Sequence, residues 1–180
     1  MRASAQAQAL TPAHYALLAL LGRRAAHGYE LQRAFLAGGD LAGVVHLEQP
    51  TLYAALKELA ARGLIAGTET RDGPRPPRTV YALTPAGRQL TAAWLRAPVE
   101  RLRQVRLDFL LKVYFARQRG ARPVRALVDA QIAMCERYLA TLSAESGAAP
   151  PDSFGALVVG SRVSAARATL DWLREYRARL

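Results

Sequence analysis

Cysteine is almost missing from this 180-residue chain, and its one occurrence, Cys135, excludes an intramolecular disulfide framework and any multi-cysteine zinc site. Long apolar runs are missing as well. The longest, YALLALL at residues 15–21, falls far short of the about 20 residues that a membrane span requires. The opening residues, MRASAQAQAL, lack the apolar block of a secretory signal. These absences lead to the expectation of a soluble, cytoplasmic protein without a membrane partner. No Gly-rich phosphate loop, G-x-S-x-G elbow or H-E-x-x-H motif is found. His14, His27 and His46 stand apart from other ligand-type residues, so no metal, cofactor or enzymatic activity is expected.

What the chain does have is positive charge, +11 in total, almost all of it arginine. Such an excess suits a polyanionic partner such as nucleic acid, although arginine-rich, alanine-rich usage also follows from GC-rich coding. The charge does not choose a half of the chain. The first 97 residues carry 11 basic and 6 acidic side chains, and the remainder carry 14 and 8.

Helical spacing organises most of the sequence. Thr11-Pro12 reads as a cap followed by a proline at the first helical turn, and Gly22 is a suitable stop. A second helix begins near His27-Gly28, has Leu31 and Phe35 one turn apart, and ends at Gly38-Gly39-Asp40. LAGVVHLE is ambiguous between loop and a very short strand. QPTLYAALKELAARG then places Leu52, Leu56 and Leu59 on one helical face and stops at Gly63. LIAGTET and TVYAL read as two strands around RDGPRPPR, whose prolines cannot supply ladder donors. Thr84-Pro85 repeats the Thr-Pro helix start.

Beyond Pro98 the pattern is helical throughout. Leu102, Val105, Phe109 and Val113 share a face over residues 98–118. Val124, Leu127, Val128, Gln131, Cys135, Tyr138, Leu139 and Leu142 line the next helix. In the last helix, from Phe154, the expected apolar side is Phe154, Leu157, Val158, Ala165 and Ala168, with Trp172, Leu173 and Tyr176 further along. The expected architecture is mainly α with a small β-hairpin wing. A winged helix-turn-helix domain spans residues 10–96 and an α-helical dimerisation domain spans 97–180. Three helices with wide apolar stripes bury them most naturally against a copy of the chain, which predicts a homodimer.

A helix-turn-helix puts its second helix in the major groove of double-stranded DNA. With the leucines inward and about 100° per residue, Pro50, Tyr53, Ala54, Lys57 and Ala61 face outward. Gln49 and Thr51 can hydrogen-bond base edges or phosphates, while Tyr53 and Lys57 can reach phosphates. Arg71, Arg75 and Arg78 give the hairpin a basic tip against a single carboxylate, Asp72. An amphipathic helix with a merely solvated face remains the bland reading of this segment alone, and the basic hairpin beside it tips the balance towards DNA.

The segments LTPAHYALLALLG, HGYEL, TLYAALKELAARGLI and RTVYALTPAGR, in that order and spacing, resemble the PadR family of bacterial transcriptional regulators. The resemblance covers residues 10–95 strongly and the helical tail more loosely. It implies a dimer that binds inverted-repeat operators, usually as a repressor, and release by a small-molecule effector in many cases. Where the family often has Gly or Ser before T-L-Y, this chain has Gln49-Pro50. Because some members sandwich planar drugs between aromatic residues at the dimer interface, Trp94 becomes a candidate ligand contact. The competing expectation is a winged-helix protein-interaction module that does not touch DNA.

Overall fold

The computed structural model describes residues 9–71, 77–146, 150 and 152–180. The chain divides into two compact units, the first ending at Leu95 and the second beginning at Arg96.

In the first unit, α1 (Pro12–Leu21) starts on a capping box. The Thr11 hydroxyl lies 2.7 Å from Nδ1 of His14, which also accepts the Thr11 N–H at 3.2 Å. Nδ1 therefore acts as the acceptor, and Nε2–H donates to Glu58 at 3.1 Å on α3 (Gln49–Ala61). Arg62 pairs with the same carboxylate. The His27 Nδ1–H, by contrast, donates to the Thr79 carbonyl at 3.1 Å.

That contact accompanies an element the sequence did not announce. A two-residue strand, β1 (Ala26–His27), pairs antiparallel with β3 (Arg78–Leu83), which also pairs with β2 (Ile65–Thr70). The sheet is three-stranded, in the order β1-β3-β2, instead of a bare hairpin. Two residues are too short to display a period of two.

The second helix, α2 (Gly28–Arg33), is shorter than the spacing predicts. The chain turns at Gly38, where φ is +83°, and the Leu41 N–H returns to the Ala34 carbonyl at 2.9 Å. Leu31 and Phe35 are nonetheless both buried. LAGVVHLE is a loop, not a strand, with one helical turn from Leu41 to Val45. Leu41, Val45 and Leu47 drop into a core with Leu17, Leu18, Leu52, Leu56, Leu59 and Ile65. Each such side chain contributes roughly 1.5–3 kcal/mol by leaving water.

α3 closes on a Schellman motif. Gly63 takes φ +67°, its N–H donates to Ala60, and the Leu64 N–H returns to Leu59 at 3.0 Å. The next helix, α4 (Pro85–Arg96), starts where Thr84 accepts the Gly87 N–H at 3.1 Å and donates its hydroxyl to the Gly63 carbonyl at 2.7 Å. Gly87 is required by close approach: a Cβ there would lie 2.0 Å from the Leu64 carbonyl oxygen.

The second unit departs from the expected helix over residues 98–118. Regular helix, α5, covers only Leu110–Arg117, preceded by a 3-10 turn at Leu102–Gln104 and a π turn at Val105–Phe109. Buried polar side chains hold the preceding segment out of helix. Gln131 accepts the Val99 N–H at 2.8 Å and donates to the Val99 carbonyl at 3.1 Å, and Lys112 donates to the Ala97 carbonyl at 2.7 Å. The expected face still forms, with Val105, Phe109 and Val113 buried and Leu102 packed beside them.

α6 (Ala121–Ser146) buries Val124, Leu127, Val128, Gln131, Cys135 and Leu142, as its spacing predicts. α7 (Phe154–Ala178) buries only the later part of the expected stripe, with Leu173 in the core and Tyr176 packed against it. Ala166, Leu170 and Leu173 face the core, whereas Ala165 and Ala168 are exposed and Phe154 and Leu157 are 79% and 67% exposed. The reason is the pairing with α6. Leu170, Leu173 and Tyr176 pack in or on the core, and Arg177 bonds Asp129 at 2.6 Å and Arg174 bonds Glu136 at 2.8 Å, so that part of the apolar surface of α7 points outward.

Candidate nucleic-acid interface

α3 divides as its periodicity dictates. Leu52, Ala55, Leu56 and Leu59 are buried, and Gln49, Pro50, Thr51, Tyr53, Ala54, Lys57, Ala60 and Ala61 are exposed. Pro50 falls within the first turn, where a missing N–H costs nothing and its fixed φ suits the helix. The solvent face is small in profile, with Lys57 its cation. The helix's acidic residue, Glu58, is turned aside and held between His14 and Arg62. Negative charge is thereby kept off the surface that Lys57 occupies.

The N-terminal end of α3 is less suited to phosphate than its dipole suggests. Glu48 occupies the N-cap position without capping through its side chain, and its exposed carboxylate lies 4.0 Å from His46. A carboxylate there repels an anion that the helix end would otherwise attract. Gln49 and Thr51 are left as neutral, exposed hydrogen-bonding groups.

The wing places Arg71 and Arg78 at its mouth, both exposed, next to the Thr70–Arg78 pair of the β2–β3 ladder. The Thr70 hydroxyl donates to the Arg78 carbonyl at 3.0 Å, closing that end of the ladder. Arg75 and Asp72 lie outside the described residues.

Between α2, α3 and β3 lies a cleft of about 510 Å³ that the sequence reading missed. Tyr53 enters it from α3, Arg78 from the wing, and His27 and Tyr29 from the start of α2. The His27 and Tyr29 rings are stacked with centroids 5.4 Å apart, and the Arg78 guanidinium lies 5.6 Å from the Tyr29 centroid. Gly28 makes room for Tyr53: a Cβ at Gly28 would lie 2.7 Å from that ring. Glu30 is engaged elsewhere. It accepts the His27 N–H at 2.8 Å and an Arg24 bond at 3.0 Å, which hold its carboxyl below the usual range. The available signal was HGYEL, whose histidine and tyrosine read only as a helix start.

Trp94 stacks on Tyr15 with centroids 4.8 Å apart and planes within 3°, inside the first unit. In the second unit Cys135 is buried, and burial pushes its thiol up, away from the reactive thiolate. Among the described residues no cluster of histidine, cysteine or carboxylate side chains is arranged to hold a metal. No described helix is long and apolar enough to cross a membrane.

Residues 17–93 match the transcriptional regulator PadR-like family, and residues 105–180 match the family described as virulence activator alpha C-term. The negative transcriptional regulator PadR of Bacillus subtilis (strain 168) is 30% identical over 101 residues. That alignment takes in 56% of this chain and spans about half, 54%, of the relative. Among solved structures, Bacillus subtilis PadR in complex with operator DNA aligns over 96% of this chain and 100% of its own, at 23% identity and a TM-score of 0.49. The PadR-like regulator BC1756 of Bacillus cereus aligns over 97% of this chain and 98% of its own, at 19% identity and a TM-score of 0.43.

Proposed function

We propose that this chain, which matches the transcriptional regulator PadR-like family over residues 17–93, is a transcriptional regulator rather than an enzyme, and that it binds an inverted-repeat DNA operator as a homodimer and represses transcription. The observation that carries the reading is the exposed face of α3, with Lys57 and Tyr53 outward, standing beside a wing mouth that bears Arg71 and Arg78. Gln49 and Thr51 read base edges, and Lys57, Tyr53, Arg71, Arg75 and Arg78 meet the backbone. The relative described as a negative regulator supports the repressing sign.

The second copy is supported by α7. Phe154, Leu157, Ala165, Ala168 and Trp172 are exposed apolar residues on one helix. A cleft of about 740 Å³ lined by Leu102, Leu110, Ala168 and Trp172 continues that surface. A partner copy would remove it from water. A small-molecule effector is part of the same reading, with Trp94 as its candidate contact. Tyr15 covers one face of that indole, so a planar ligand would stack on the opposite face or displace the phenol ring.

Footprinting on the DNA upstream of the chain's own coding sequence tests the proposal, with sedimentation of the free and bound protein. A protected, symmetric site occupied by two chains is expected. Binding that ignores salt, or no protection, would favour a protein-interaction module instead.

A further inference from the structure

We propose that the cleft between α2, α3 and β3 is a seat for one DNA backbone phosphate, built by Tyr29, Tyr53 and Arg78, with His27 and Gly28 positioning them. The inference rests on the DNA-binding reading and deepens it, because it adds Tyr29, outside α3, and joins it with Tyr53 and Arg78 in one defined contact.

The lining chemistry suits a phosphodiester. Three tyrosines, Tyr29, Tyr53 and Tyr81, and the Arg78 guanidinium line the cleft, and no carboxylate does so among the described residues. A singly charged anion needs donors and one cation there, and gains most where these groups already hold their positions.

Each of them is held. The His27 ring is fixed by the bond from Nδ1–H to the Thr79 carbonyl and by its place in the β1–β3 ladder. It stacks on Tyr29, whose ring in turn carries the Arg78 guanidinium at 5.6 Å. This relay ties the wing arginine to the start of α2, so Arg78 does not have to be ordered when DNA arrives. Tyr53 is set by the space left at Gly28, where any Cβ would fall 2.7–2.9 Å from the outer half of the phenol ring. Gly28 is thus a positioning residue for Tyr53, and His27 and Tyr29 position Arg78. Glu48 disfavours a phosphate at the end of α3, and the cleft supplies an alternative anchor.

The test uses the intact protein and a duplex carrying the footprinted site. Tyr53→Phe, Arg78→Ala and Gly28→Ala should each weaken binding roughly tenfold, the loss of one charge-assisted hydrogen bond. The loss should be equal on specific and unrelated duplexes, because a phosphate carries no sequence. Gly28→Ala displaces only the end of a side chain, so its thermal unfolding should match the parent. Methylphosphonate scanning then locates the seat: one neutral linkage should weaken the parent by the same factor and leave Arg78→Ala unaffected. Parent-like binding by Tyr53→Phe and Gly28→Ala, or additive losses at every linkage, would overturn the seat while leaving DNA binding intact. A parent that binds no duplex would overturn the DNA-binding reading and the seat with it.

Discussion

The Lys112 ammonium donates to the Ala97 carbonyl at 2.7 Å from a position only 3% exposed. Asp108, one turn before it and also buried, faces the same cost of leaving water. Burial pushes the Asp108 carboxyl up and the Lys112 ammonium down, each partly offset by the other's charge. The C-terminal unit therefore begins on two expensive groups, of which Lys112 has a geometric gain: it holds Ala97 against α5.

Lys112→Met should destabilise the chain by about 3–5 kcal/mol, since it strands a buried carboxylate. Adding Asp108→Asn should recover much of that loss. Denaturant midpoints of the parent, both single variants and the double variant measure the coupling, and strict additivity would show that the two groups act independently.

The same carboxyl sets a pH dependence. Its folded pKa is raised, so its stabilising contribution is full below the unfolded value of about 3.8 and is lost as pH rises through the folded value. Asp108→Asn should remove this component. The stability difference between parent and variant should shift against the parent as acid solutions are neutralised, and a pH-independent difference would contradict the assignment.

Gly87→Ala should cost about 1–3 kcal/mol through overpacking against backbone. The atom met at 2.0 Å is the Leu64 carbonyl oxygen, which also accepts the Thr84 N–H at 3.1 Å and cannot simply rotate away. A thermal midpoint equal to the parent's would mean that α4 shifts without loss.

Lys57→Ala should weaken binding to every duplex and lower the magnitude of the salt slope by about 0.9, the share of one phosphate. The sedimentation of the free protein should not change. An unaltered slope would place Lys57 away from the backbone.

Cys135 should resist thiol reagents in the folded protein and react fully in denaturant. Its thiol is buried, pushed above its ordinary pKa by burial, and lies 3.9 Å from the Gln131 amide. Fast labelling under native conditions would indicate local opening of α6.

Much of this was written in the periodicity of the chain. The leucines of α3, the Thr-Pro helix starts at Thr11 and Thr84, and the buried stripe of α6 all follow from local rules. Three features did not, each for a physical reason. β1 is two residues long and exists through its pairing with Val80 and Tyr81, which no local signal encodes. The break before α5 depends on Gln131, 32 residues beyond the Val99 it clamps. The rotation of α7 depends on its packing against α6, so the apolar pattern marked Leu173 and Tyr176 correctly but also Ala165 and Ala168, which are exposed. At the candidate site, the outward face of α3 was legible, whereas the cleft required knowing that His27, Tyr29 and Arg78 meet across the β1–β3 ladder.

The left-handed corner at Gly63 has a consequence for the proposed engagement of a duplex. The Gly63 and Leu64 carbonyls are gripped from Thr84, where the chain leaves the wing, so helix α3 and the base of the hairpin share one knot. The angle between α3 and the wing is thereby settled during folding. An encounter with DNA meets a finished instrument, and the entropy of aligning its two contact surfaces has already been spent.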